Sequence, residues 1–130
     1  MEGGRKLNEK LSNGFWKLYF VQLSPKIGGD IVYKIGVTEY KDVLNRFISY
    51  EETFNVKVLC SLTFTSEIKA KSFENCLLSI YSRWPNNEIL EQFKKLNGQG
   101  EVRYMNNFEK AELLNFMFMV KNNSKGKITL

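Results

Sequence analysis

Apolar residues along this chain keep two rhythms, one of period two and one near 3.6, and the breaks between them divide it into elements. Phe15 to Leu23, FWKLYFVQL, is dense in aromatic and β-branched residues and predicts a strand. Ser24 to Asp30, SPKIGGD, has a Pro and a Gly pair and predicts a turn. Ile31 to Thr38 predicts a second strand. So short a link favours an antiparallel hairpin, because a parallel pair needs a crossover of about a dozen residues. Gly36 inside this strand predicts a bulge or a close approach of backbone. From Tyr40 to Tyr50 the apolar positions are Tyr40, Val43, Leu44, Phe47 and Ile48, a helical stripe that Thr38 can cap. Phe54 to Phe64 then alternates. Phe54, Val56, Val58, Cys60, Leu62 and Phe64 are apolar and predict a third strand with one buried face.

Thr65 or Ser66 can cap a helix running to about Arg83, with Ala70, Phe73, Leu77, Ile80 and Tyr81 on one face. WPNN, Trp84 to Asn87, ends it, since Pro cannot continue the hydrogen-bond ladder. A shorter helix, Glu88 to Leu96, stops at the Gly-containing NGQG. EVRYM reads as a short extended piece. Phe108 to Val120 predicts a last helix, with Phe108, Ala111, Leu114, Met117 and Phe118 apolar. The order β-β-α-β-α-α-(β)-α predicts an α+β fold, a small three-stranded antiparallel sheet flanked by helices. Residues 1–13 read as a flexible segment, 14–121 as a single domain and 122–130 as a basic tail.

Composition narrows the function. With 130 residues, 43% hydrophobic and 25% charged, the chain suits one soluble domain. No apolar run reaches membrane-spanning length, and MEGGRKLNEK has no apolar stretch of a secretory signal. No membrane association is expected, and the expected location is the cytoplasm, the host's if the protein is viral. Cys60 and Cys76 both lie in predicted core elements and read as reduced, buried thiols. The absence of any His removes His-based acid–base chemistry, the Ser-His-Asp triad and nearly all zinc sites. The net charge of +5 hints at a polyanionic partner. Yet six of the 19 basic residues lie in the first and last ten, leaving the body nearly neutral.

Four local patterns then fall in one order. Leu18-Tyr19 lies on the first strand and Lys34-Ile35-Gly36-Val37-Thr38 on the second. Arg46 lies in the stripe after it, and Glu74 lies in AKSFENCLL on the next helix. This arrangement resembles the GIY-YIG nucleases, whose signature is Ile-Tyr, then Tyr-Ile-Gly-x-Thr, then a helical Arg and a helical Glu. GQGEVRYM, Gly98 to Met105, is similar to the Gly-Glu-aromatic ending of a phage-type branch that uses Lys-Ile-Gly. The likeness covers roughly residues 15–105. It departs from the family at Lys17, where the first motif has Gly, and at Lys34, where the second has Tyr, with Tyr33 adjacent. Asn97 is a candidate for the family's closing Asn.

The resemblance implies phosphodiester hydrolysis. Glu74 would hold one hard cation, Mg²⁺ or Mn²⁺. Arg46 would clamp the scissile phosphate. Tyr19 would take a proton from water if a neighbouring cation lowers its pKa from about 10. Lys34 would be that cation, or would contact phosphate as a point charge. Each residue also has a plainer reading. Lys34 could face solvent, Arg46 could pair with Asp42, Glu74 could be solvated or pair with Lys71, and Tyr19 could be a half-buried core aromatic. Tyr33, Trp16 and Trp84 read as packing residues. Three functions compete: a metal-dependent DNA endonuclease, a phage DNA-binding or host-interaction module that keeps the fold without cleavage, and a small scaffolding protein. The partner expected for the first is DNA; the oligomeric state is open.

Overall fold

The computed structural model describes residues 9–11, 14–94, 96, 101–123 and 127–128. β1 (Trp16–Pro25) and β2 (Val32–Thr38) form the antiparallel hairpin, and β3 (Phe54–Phe64) pairs antiparallel with the other edge of β1. Two short strands extend the expected sheet of three. β4 (Val102–Arg103) pairs antiparallel with β2 at Tyr33 and Lys34, and β5 (Lys127–Ile128) pairs parallel with β3. The order across the sheet is β4-β2-β1-β3-β5. The helices are α1 (Glu67–Ile80), α2 (Asn87–Lys94) and α3 (Asn107–Asn123), making the fold α+β. Among the described residues no helix is long and apolar enough to cross a membrane.

β3 does not bury a single face. Its register against β1 shifts between Phe20 and Val21: Phe20 faces Cys60, whereas Val21 faces Val58, so Leu59 is the extra residue of a bulge. Positions of equal parity therefore point to opposite sides of the sheet before and after Leu59. Phe54, Val56 and Val58 join Tyr19, Val21, Leu23 and Val32 in one core. Cys60, Leu62 and Phe64 join Leu18, Phe20, Tyr33 and Ile35 in the other. The second of these packs on Ala70, Leu77 and Tyr81 of α1 and on Leu113 and Met117 of α3. The first is closed by Val43, Phe47 and Tyr50, by Phe93 of α2 and by Val102.

The stripe after β2 is shorter and tighter than its periodicity predicts. It is a 3₁₀ segment, Val43–Tyr50, kinked at Phe47 (φ −114°, ψ 15°). Its cap is Asp42, whose Oδ1 accepts from Leu44 N at 3.0 Å. Thr38 instead closes the preceding turn, its Oγ1 accepting from Tyr40 N at 3.2 Å. The kink lets Phe47 and Tyr50 both point inward, their rings 5.0 Å apart. Ser66 caps α1, with its hydroxyl oxygen accepting from Lys69 N, but the helix stops at Ile80 rather than Arg83. Cys60 is buried as expected; Cys76 is exposed, on the outer face of α1. Part of the expected flexible start is docked, since Leu11 N donates to Glu39 O and Lys41 N to Glu9 O.

Candidate active site

Polar groups meet where β1, β2, α1, β4 and the 3₁₀ segment converge. β2 carries Lys34 inside a run in which Val32 to Gly36 are all buried. Lys34 is 0% exposed. Its Nζ donates to Tyr19 Oη at 3.1 Å and is ion-paired with Glu101 Oε1. It also lies 5.5 Å from the centre of the Tyr19 ring and 5.7 Å from that of Phe47. Two aromatic faces and one carboxylate thus replace the water a lysine normally keeps. Phe47 meets Tyr19 edge to face at 5.1 Å.

Gly36 makes room for this. It is the cross-strand partner of Tyr19. A Cβ at Gly36 would overlap the Tyr19 hydroxyl and lie 3.0 Å from Glu101 Oε1. The expected close approach is therefore an approach of side chains over a bare backbone, and the bulge lies at Leu59 instead.

Glu74 belongs to the buried stripe of α1, in line with Ala70, Leu77 and Tyr81. Buried carboxyls favour the neutral form, and Glu74 is pushed up to about 8, first by burial, then by a hydrogen bond shared with Glu101 and by that residue's charge. No donor faces its buried Oε2. A bond between two carboxyls exists only while one of them keeps a proton. Lys71 does not neutralise Glu74 by pairing with it at close range; it forms the i,i+4 pair with Glu67 at 2.8 Å.

Tyr19 is also fully buried. Its pKa is raised well above that of a free tyrosine, by burial first and then by Glu101, against the opposing pull of Arg46. Lys34 is lowered, again by burial first, while Glu101 holds it charged. Arg46 is half-buried on the 3₁₀ segment, and its charge acts on Tyr19, Lys34 and Tyr50. Tyr50 is pushed up to about 12, mainly by burial. On the β4 side, Arg103 is buried with its guanidinium stacked 3.7 Å over the ring of Trp84.

The structure thus brings Tyr19, Lys34, Arg46 and Glu74 to one place. It corrects two of the expected roles. Lys34 is sealed from solvent, so it does not reach phosphate as a point charge. Nor is Tyr19 a ready base, because burial first and Glu101 next raise its pKa against the pull of Arg46. The plainer readings of Lys34 as solvent-facing, Glu74 as solvated and Tyr19 as half-buried are likewise overturned. Glu101, which the sequence reading places only within GQGEVRYM, joins the cluster as the ion-pair partner of Lys34; no residue type or spacing in the linear sequence signals that pairing. Asn97, the candidate closing Asn, and Gly98 to Gly100 lie outside the described residues.

The residues suit a hard divalent cation. Glu74 Oε2 is an oxygen donor without a hydrogen-bond donor facing it, and Glu101 lies beside it. Among the described residues no group of three or more potential ligands surrounds a point, so most of a cation's shell would be water and phosphate oxygen. Comparison with protein-family models, with curated proteins and with solved structures finds no match for this chain.

Proposed function

We propose that this cluster is the site of a metal-dependent DNA endonuclease of GIY-YIG type. The observation that carries the reading is the convergence of Tyr19, Lys34, Arg46 and Glu74, with Glu101, around a buried carboxyl whose Oε2 no donor faces. Phosphodiester cleavage needs charge stabilisation at the phosphoryl oxygens and a held nucleophile. When bound at Glu74, Mg²⁺ or Mn²⁺ would supply that charge and acidify water. Arg46, half-exposed beside the cluster, clamps a phosphate by paired N–H donors. Lys34 donates to Tyr19 Oη and so holds that oxygen as an acceptor. Glu101 fixes Lys34, and Gly36 leaves the space in which all three meet. Tyr19 therefore acts as a positioned hydroxyl rather than as a tyrosinate.

A second reading keeps the fold and DNA binding without cleavage, as a phage DNA-binding or host-interaction module. The full burial of Tyr19 and Lys34 favours it. Supercoiled plasmid, with Mg²⁺ or EDTA, separates the two. The nuclease reading expects metal-dependent nicking by the wild type, abolished in Glu74→Gln and in Tyr19→Phe with DNA binding retained. Binding without nicking under any metal selects the second reading. Arg46→Ala weakens binding to every sequence alike, because phosphate contacts carry no base information.

A further inference from the structure

The charges on the outer side of α1, Glu67, Lys69 and Lys71, are confined to its first half. From Ser72 to Ser82 the one charged residue is Glu74, which is buried. Ser72, Asn75, Cys76, Ser79 and Ile80 are exposed, and Ile68 and Ile80 are 78% and 66% exposed. Beside this face, Phe116 of α3 stacks on Phe73 of α1, with ring centres 5.9 Å apart.

Two apolar hollows flank that stacked pair. One, of about 270 Å³, lies by the first half of α1, lined by Phe64, Ile68, Phe73 and Cys76 and rimmed by Lys69. The other, of about 310 Å³, lies by the second half, lined by Leu77, Ile80, Leu113 and Phe116 and rimmed by Glu112. Ile68 and Ile80 stand about 18 Å apart along the helix and about a third of a turn apart around it, with Ile80 on the side of α3. The face is therefore complementary to itself. A two-fold axis through the middle of α1 sets the helix antiparallel to its own copy. Each Ile80 then meets the Lys69-rimmed hollow of the second copy, and each Lys69 comes opposite a Glu112 of the second copy, while Ile68 stays at the edge of the contact. Opposite charges face each other at both rims, and the uncharged middle avoids the repulsion that like charges on a dyad would create.

We propose that the α1–α3 face is a two-fold interface and that this protein is a homodimer. Because α1 carries Glu74 on its opposite side, the dimer would hold two copies of the cluster on either side of a shared seam. That last consequence matters only if the nuclease reading holds; the dimer does not depend on it.

The test is molar mass by light scattering across a concentration series, without DNA. The wild type gives twice 15.2 kDa. Lys69→Glu and Glu112→Lys each place like charges at both rims and weaken the dimer by about tenfold or more. The double variant Lys69→Glu, Glu112→Lys restores it, because every rim again faces its opposite. Glu112 also accepts from the Tyr81 hydroxyl. If Glu112→Lys fails to fold, exposed Lys69→Glu and a short bis-maleimide cross-link at Cys76 carry the test, Cys60 being buried. A monomer at every concentration overturns the proposal. So does a dimer indifferent to Lys69→Glu and not cross-linked through Cys76, since it would use another face. A monomer that recruits a different protein to this face also overturns it.

Discussion

Lys34 and Ile80 are misplaced in opposite senses: the lysine is 0% exposed and the isoleucine 66% exposed. Polar groups fill part of the interior around β2, while apolar groups line the outside of α1. The two departures are not equivalent. An ion taken out of water costs several kcal/mol after relaxation, so it persists only where partners meet it. Lys34 has them in Glu101, Tyr19 and two aromatic rings. An exposed isoleucine forgoes burial worth about 25 cal/mol per Å² but strains nothing. The interior departure is answered within the fold; the surface departure is left for the proposed second copy to cover. Departures from simple patterning are where function concentrates.

The interior should be far less forgiving than the surface. The largest effect is expected from Gly36→Ala. Its methyl group enters the space of the Tyr19 hydroxyl and approaches Glu101, and overpacking of this kind costs about 3 kcal/mol. Urea unfolding measures it; a stability equal to wild type would mean that the cluster is loosely held.

Next comes pH, for the metal-free protein. Glu74 keeps its proton up to about 8 in the folded chain, against an ordinary value of 4.5. Between those limits the folded state holds a proton that the unfolded state has lost. Stability therefore falls as pH rises through this window, with a slope of up to about 1.4 kcal/mol per pH unit. Unfolding curves from pH 5 to pH 8 should show that decline in the wild type and a flatter line in Glu74→Gln. Identical slopes would break the assignment of the buried proton to Glu74 and Glu101.

The smallest effects belong outside. Phe108 and Met119 are 74% and 53% exposed, so Phe108→Ser and Met119→Ser should each change stability by less than about 0.5 kcal/mol. A loss comparable to that of Gly36→Ala would show that these side chains are packed rather than displayed.

Much of this arrangement is legible in the chain. The hairpin, the alternating third strand, the Ser66 cap and the order of elements follow from period and turn chemistry, and Tyr19, Lys34, Arg46 and Glu74, singled out in the sequence, come together in one cluster. What escapes a linear reading is physical. Two apolar sets of equal parity in β3 look like one face until a bulge at Leu59 turns half of them over. The Val43–Tyr50 stripe fits an α-helix by spacing, but bringing both Phe47 and Tyr50 inward over so short a segment requires tighter 3₁₀ turns and a kink. β4 has two residues, too few to show any period. Glu101 lies just before it and acquires meaning only once Lys34 is seen to be sealed in. Glu74 did carry a signal: it occupies the apolar stripe of α1, four residues after Ala70 and three before Leu77, where a solvated carboxylate does not belong.

The proposed function requires the buried carboxyl of Glu74 to hold a divalent cation. The most direct measurement is thermal unfolding with increasing Mg²⁺ or Mn²⁺, without DNA, on wild type and Glu74→Gln side by side. A cation bound only by the folded state stabilises it by about 1.4 kcal/mol once its concentration reaches tenfold above Kd. The account predicts a saturable rise in Tm for the wild type that Glu74→Gln lacks. No rise in the wild type, or the same rise in both, would contradict it.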